Sequence, residues 1–200
     1  MRLWVPRTYS AEDGQMNDWH LMHLGQLASS GAAALTIEGA AVCPEGRTTY
    51  ADIGLYSDDT EASMARVLHG VRRWSDIPIG IQINHAGRKG SRQKLWDGGA
   101  QMLPGQPNGW MTYAPSPIAF AVADKPPVAL DRAGLAAIRN AFADAARRAS
   151  QLGLDFIQIL AGHGYLLHQF LSPLSNRRDD EYGGSLENRM RFPLEVLARR

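Results

Sequence analysis

Cysteine is almost missing from this chain. Cys43 is the only one in 200 residues, which excludes a disulfide framework within the chain and any cysteine-based zinc site. It also points to a reducing, cytoplasmic setting. No charge of one sign dominates: 21 lysines and arginines face 20 aspartates and glutamates, for a net charge of +1. That leaves no basic excess for nucleic acid or an anionic membrane, and no acidic tail. Long apolar runs are lacking as well. No stretch approaches the roughly 18 unbroken apolar residues of a spanning helix. The opening "MRLWVPRTYSAEDG" has no apolar core of the kind a secretory signal carries. Internal repeats and low-complexity tracts are absent. No G-x-G-x-x-G follows a strand, which weakens a dinucleotide-binding Rossmann reading.

What is present is globular. Apolar residues make up 44% and charged residues 20% of the chain, enough for one domain with a real core. The predicted elements alternate. "WHLMHLGQLASSG" (19 to 31) reads as a helix with Leu21, Leu24 and Leu27 on one face. "AAALTIEGA" (32 to 40) reads as a buried strand. "TEASMARVLHGVRRW" (60 to 74) is helical, with Asp58 or Asp59 as its cap and a stripe from Ala62 through Val71. "IPIGIQINHAG" (77 to 87) is a second strand. Residues 88 to 130 are rich in glycine and proline and read as one long loop, with room for a short hairpin. "LAAIRNAFADAARRASQLG" (135 to 153) is a long helix, and "LDFIQILAG" (154 to 162) a third strand. "GGSLENRMRFPLEVLARR" (183 to 200) starts at a Ser185 cap and contains Pro193, which predicts a kink or a late start.

Apolar strands alternating with helices make a parallel sheet covered by helices. Two architectures fit: an open doubly wound sheet, and part of a (β/α) barrel. Both place functional groups at the C-terminal ends of strands, where Glu38, Asn84, His85, His163 and Tyr165 fall. A closed barrel takes about 250 residues. This chain holds three or four β/α units, so as a barrel it would be incomplete. Its open strand edges would then favour self-association, as a homo-oligomer.

Gln82 lies in the middle of a strand, and its amide must satisfy a donor and an acceptor together. Neighbouring backbone would do so, and so would a planar heterocycle with adjacent N–H and C=O groups. Tyr165 is a neutral donor at pH 7, since a phenol titrates near pH 10. Beside His163 it could protonate a developing carbanion while the imidazole holds an oxyanion. Both residues could equally pack beneath the long loop. Trp96, Trp110 and Tyr113 either staple that loop or face a substrate. His20 and His23 stand at a helical spacing that suits a metal but have no third ligand, so no metal is expected. His85 and His168 read as structural, and Cys43 has no base nearby to give it a redox role.

The segments "IQINHAGRKGS" and "HGYLLHQFLSPLSNRRDDEYGGSLENRMRF" closely resemble the Old Yellow Enzyme family of flavin-dependent ene-reductases. "DWHLMHLG", "IEGAAVCPEGR" and "APSP" fit the same family in order, from about Tyr9 to Arg200. The bacterial NADPH dehydrogenase branch is the most similar. The resemblance implies an (β/α)8 TIM barrel, here residues 1–200 as the N-terminal part of one FMN-binding domain, with roughly strands 2 to 4 and a long loop after strand 3. It implies FMN as cofactor, NADPH or NADH as reductant, and a small-molecule substrate with an activated alkene. Gln82 would bond the flavin pyrimidine edge, and Gly39 would lie against the ring through its backbone. Tyr165 would be the proton donor, His163 would hold the substrate carbonyl, and Tyr9 would close over the substrate. Three positions depart from the family. Leu160 replaces a second carbonyl-holding histidine, Arg7 replaces a small or thiol residue, and barrel strands five to eight do not follow. An alternative expectation is therefore a non-catalytic fragment with impaired FMN binding. In the charged loop "SNRRDDEYGGS" the resemblance implies fixed ion pairs that brace the site.

Overall fold

The computed structural model describes residues 10–198. Three strands form a parallel sheet in the order β1 (Leu35–Ala41), β2 (Ile79–Asn84), β5 (Phe156–Ile159). Between β1 and β2 runs helix α2 (Asp58–Arg72), and before β5 runs α3 (Arg132–Gln151). The first helix, α1 (Asp18–Ala28), packs on α2. Two more, α4 (Leu166–Leu171) and α5 (Leu186–Ala198), follow β5 and pack on each other.

The two faces of the sheet differ because side chains alternate along each strand. Ile79, Ile81 and Ile83 are fully buried, in one core with Val67, Leu68, Ile138 and Phe142 from the covering helices. The opposite face carries Glu38, Gln82 and Gln158, all partly open. A doubly wound sheet would cover both faces. Sequential strand order with helices on the apolar face is the arrangement of a barrel segment. The outer edge of β5 pairs with no described strand.

Each helix has a local cause. The α3 stripe is the expected one: Leu135, Ile138, Phe142, Ala145 and Ala149 are buried, and the Asp131 side chain accepts from Gly134 N at 2.7 Å as the cap. In α2 the cap is Ser57, not Asp58 or Asp59. Its hydroxyl accepts from Thr60 N at 3.2 Å, and this frees Asp58 to pair with Arg148 of α3 at 2.8 Å. Glu61 pairs with the same guanidinium. The buried stripe of α2 holds Met64 where Ala62 was expected. In α1 the buried residues are His20, Leu24 and Ala28, so the expected leucine face is turned by about one position. His20 is drawn inward because its Nδ1 closes a capping box with Asn17. Pro193 produces no late start: α5 begins at Leu186, seven residues earlier, and runs through it.

The long loop contains two short strands, β3 (Tyr113–Ala114) and β4 (Val128–Ala129), paired in parallel rather than as a hairpin. The chain between them swings out and returns from the same side. The loop is fastened by Arg178, whose Nη1 donates to Pro115 O at 3.1 Å and Leu130 O at 2.6 Å. The same guanidinium grips Asp180 through two bonds of 2.9 and 2.5 Å. Asn176 ties Phe170 O and Tyr182 O at 2.9 and 2.7 Å. The charged segment is thus an ion-paired brace, as the resemblance implied. Trp110 is a staple: its Nε1 donates to Glu45 O at 3.0 Å under the Arg47 guanidinium.

Candidate active site

Gln82 sits opposite an irregularity. Ile37 pairs with Ile81 and Ala40 with Ile83, so Glu38 and Gly39 together face the single residue Gln82. Such a bulge bends the strand and re-aims what it carries. Gln82 is half-buried on the open face. Its Nε2 donates to Gln158 Oε1 at 3.0 Å on the adjacent strand, so its partner is a side chain and not the neighbouring backbone. Its own Oε1 receives no hydrogen bond among the described residues. Asn84, two residues on, is buried, and its Oδ1 has no partner among them either. Gly39 lies close against it: a Cβ at Gly39 would stand 3.2 Å from Asn84 Nδ2. A side chain here would crowd the Asn84 amide.

Beyond β5 the chain makes the turn that carries the other candidates. Leu160, half-buried, still donates to Ile83 O at 3.1 Å. His163 and Gly164 then take left-handed backbone angles, φ 58° and 72°. For His163 this is an uncommon conformation with a real cost. Two bonds hold it: Lys89 Nζ donates to His163 O at 3.0 Å, and Gly164 N donates to His168 Nδ1 at 2.8 Å. The imidazole of His163 is left exposed.

The turn is locked to the loop after β2. Leu166 N donates to His85 O at 2.9 Å. Gln169, buried, donates through Nε2 to Ala86 O at 3.1 Å and to Gly164 O at 2.8 Å. Its Oε1 accepts from Arg88 N at 3.3 Å. Gly87 has φ 61°, and a Cβ on it would run into the Gln169 amide. Gly87→Ala is accordingly expected to destabilise the fold by about 1–3 kcal/mol, lowering Tm by about 2–4 °C per kcal/mol. A thermal melt with Tm unchanged would contradict this locking role.

His85 is a structural histidine, as expected. Its Nδ1 accepts from Gly87 N at 3.0 Å, and burial lowers its pKa to about 4, so it stays neutral. His20 is likewise held near 4 by burial, and His23 stacks on Trp19 with ring centroids 4.7 Å apart. Among the described residues no three His, Cys, Asp or Glu side chains gather as metal ligands. Burial pushes the Cys43 thiol up and leaves it protonated.

Tyr165 is the most constrained of the candidates. Thr48, in the loop after β1, donates its hydroxyl to the phenol oxygen at 3.1 Å. Lys89 Nζ lies 5.4 Å from the ring centroid. Burial raises the phenol's pKa above its ordinary value, the Thr48 bond opposes this, and the carboxylates of Asp52 and Glu38 push it further up. Tyr9 and Arg7 lie outside the described residues. Sequence reading missed Thr48, Gln158, Lys89 and Gln169. Of these only Gln158 had a signal, a second mid-strand glutamine among apolar neighbours.

Comparison with known proteins accounts for this arrangement. Residues 5–199 match the NADH:flavin oxidoreductase / NADH oxidase family. The chain is 43% identical over 192 residues to an NADH:flavin oxidoreductase of Gibberella zeae, covering 94% of this chain and 46% of the relative. It is 40% identical over 190 residues to an NADPH dehydrogenase of Clostridium acetobutylicum, covering 94% of this chain and 51% of that one. Among solved structures, morphinone reductase superposes with a TM-score of 0.83 at 28% identity, over 98% of this chain and 52% of that chain. The chain spans about half the length of the curated relatives it matches, and its three parallel strands are a segment of their (β/α) barrel.

Proposed function

Since the chain belongs to the NADH:flavin oxidoreductase / NADH oxidase family, we propose that it forms part of an FMN-dependent ene-reductase that uses NADPH or NADH. The observation that carries this reading is Gln82. It lies half-buried on the open face of the sheet opposite a bulge, with one amide hydrogen engaged by Gln158 and its oxygen free among the described residues. A flavin pyrimidine edge offers adjacent N–H and C=O groups, which an amide matches through its oxygen and remaining hydrogen. Gly39 leaves room for a flat ring beside it. These residues fit the cofactor.

When bound, FMN would supply hydride transfer from the nicotinamide to the β-carbon of an activated alkene. The chain's own groups do the rest. Tyr165 gives its proton to the α-carbon. It is held protonated at neutral pH by burial and fixed in place by Thr48. The exposed imidazole of His163 donates to the substrate's carbonyl oxygen, from a backbone turn held by Lys89 and His168. Leu160 supplies apolar surface where a second donor would sit. Substrates that need one strong carbonyl donor, or that carry an apolar group on that side, suit the pocket best. Tyr9 would close over the substrate. The single cysteine of the composition fits a cytoplasmic setting.

Titration of the purified protein with FMN, followed by visible absorbance, tests the reading. A flavin band near 1:1 stoichiometry is expected. Gln82→Leu should weaken FMN binding by about ten- to a hundredfold, from about 1–3 kcal/mol of lost hydrogen bonding. Unchanged affinity in this variant would contradict Gln82 as a flavin ligand.

A further inference from the structure

Thr48 belongs to none of the motifs that carry the family resemblance, yet it makes the one hydrogen bond that reaches the Tyr165 phenol oxygen among the described residues. We propose that Thr48 is a positioning residue for the proton transfer: its hydroxyl donates to the Tyr165 oxygen, turns the phenolic hydrogen toward the substrate, and stabilises the phenolate left behind. The inference rests on the ene-reductase reading above.

The geometry behind it is built in three layers. Asp52 is buried, and its carboxylate accepts from Thr48 N at 2.8 Å and from Thr49 Oγ1 at 2.7 Å. Ala51 N donates to Thr49 Oγ1 at 3.2 Å. This closed turn ties down the Thr48 backbone, and its hydroxyl reaches across 117 residues of sequence to Tyr165 at 3.1 Å. A phenol oxygen that accepts from a fixed donor keeps its own hydrogen for another acceptor. In the reaction, a nicotinamide-derived hydride forms the new C–H bond at the β-carbon. The C=C π pair moves to the α-carbon and takes the Tyr165 proton, and the phenolate recovers a proton from water.

The phenolate needs such a donor because its surroundings oppose it. Glu38 on β1 and Asp52 beyond it are carboxylates within electrostatic reach, and burial adds to their effect. On the other side, Lys89 lies over the ring. His163 stands two residues before the tyrosine and His168 three after it. The Thr48 bond favours the ionised form against burial and the two carboxylates.

The test combines a titration with kinetics in the flavin-loaded full chain. Tyrosine labelled with 13C at Cζ gives a resonance for each of the six tyrosines, and Tyr165→Phe assigns one of them. In Thr48→Val that resonance should titrate about one pH unit higher than in the native protein. Reoxidation by an enone should slow by about tenfold or more, and reduction by NADPH should be unchanged. Thr48→Ser, which restores the hydroxyl, should restore both values. Thr48→Ala gives the same contrast should valine disturb the fold. Titration unmoved by loss of the hydroxyl, or no rescue by serine, overturns the proposal. If the native protein fails to reduce any enone, the functional reading falls, while the titration still decides whether Thr48 governs the phenol.

Discussion

Tyr165→Phe should slow reoxidation of the reduced enzyme by an enone by about a hundred- to ten-thousandfold, the usual range for a lost general acid. Reduction by nicotinamide should keep its native rate. The reason for the split is local. The phenol is fixed by Thr48 at 3.1 Å, and burial and two carboxylates keep it protonated. The substitution removes one oxygen and leaves the ring beneath Lys89 in place. Thr48 and Lys89 also lie near the phenol, but the threonine hydroxyl is engaged with the phenol oxygen and the ammonium donates to His163 O at 3.0 Å. His163 is nearest in sequence, but its backbone turn leaves its imidazole exposed. Stopped-flow traces of the two half-reactions, recorded separately, make the comparison. Equal slowing of both would exclude Tyr165 as the proton donor.

Leu160→His carries the second large effect, in the opposite direction. Leu160 is half-buried at the end of β5, with its backbone tied to Ile83 O, so a side chain there is aimed by the sheet. Leucine offers no hydrogen-bond donor, and one preorganised donor to a developing oxyanion is worth about 3–4 kcal/mol. The variant should therefore raise turnover on cyclohexenone-like substrates by about a hundred- to a thousandfold. Losing a half-buried leucine costs stability, by about 1 kcal/mol for partial exposure of its area, which a folded protein tolerates. Steady-state turnover of the variant and the native protein on cyclohexenone decides the matter. Unchanged or lower turnover would contradict a carbonyl-binding role for this position.

The elements were legible because their signals are local. An apolar stripe every three to four residues marked α3, and glycine stops marked the ends of two helices. The errors arose mostly where a partner distant in the chain intervened. Ser57 outcompeted Asp58 as a cap because a serine hydroxyl reaches Thr60 N while the aspartate is drawn to Arg148. His20 entered the core because capping turned α1. The two short strands of the long loop run parallel because the Arg178 brace, nearly fifty residues or more from each carbonyl it holds, sets their course.

The candidate site was legible in part. Gln82 stood out as an amide inside an apolar strand, and Tyr165 and His163 as proton-bearing groups at a strand end. The barrel itself came from resemblance, since periodicity left a doubly wound sheet open. The residues that hold the site together were invisible. Thr48 meets Tyr165, and Gln169 meets Ala86, across 117 and 83 residues. A threonine in a loop and a glutamine in a short helix have no pattern that names such partners. Gln158 alone could have been found, as the in-register partner of Gln82.

A crystal structure of the protein with FMN bound tests the whole reading in one step. The flavin's pyrimidine edge should lie within hydrogen-bond distance of the Gln82 amide, with the Tyr165 oxygen facing the substrate side of the same ring. FMN bound elsewhere, or the glutamine and the phenol lining separate cavities, would overturn it.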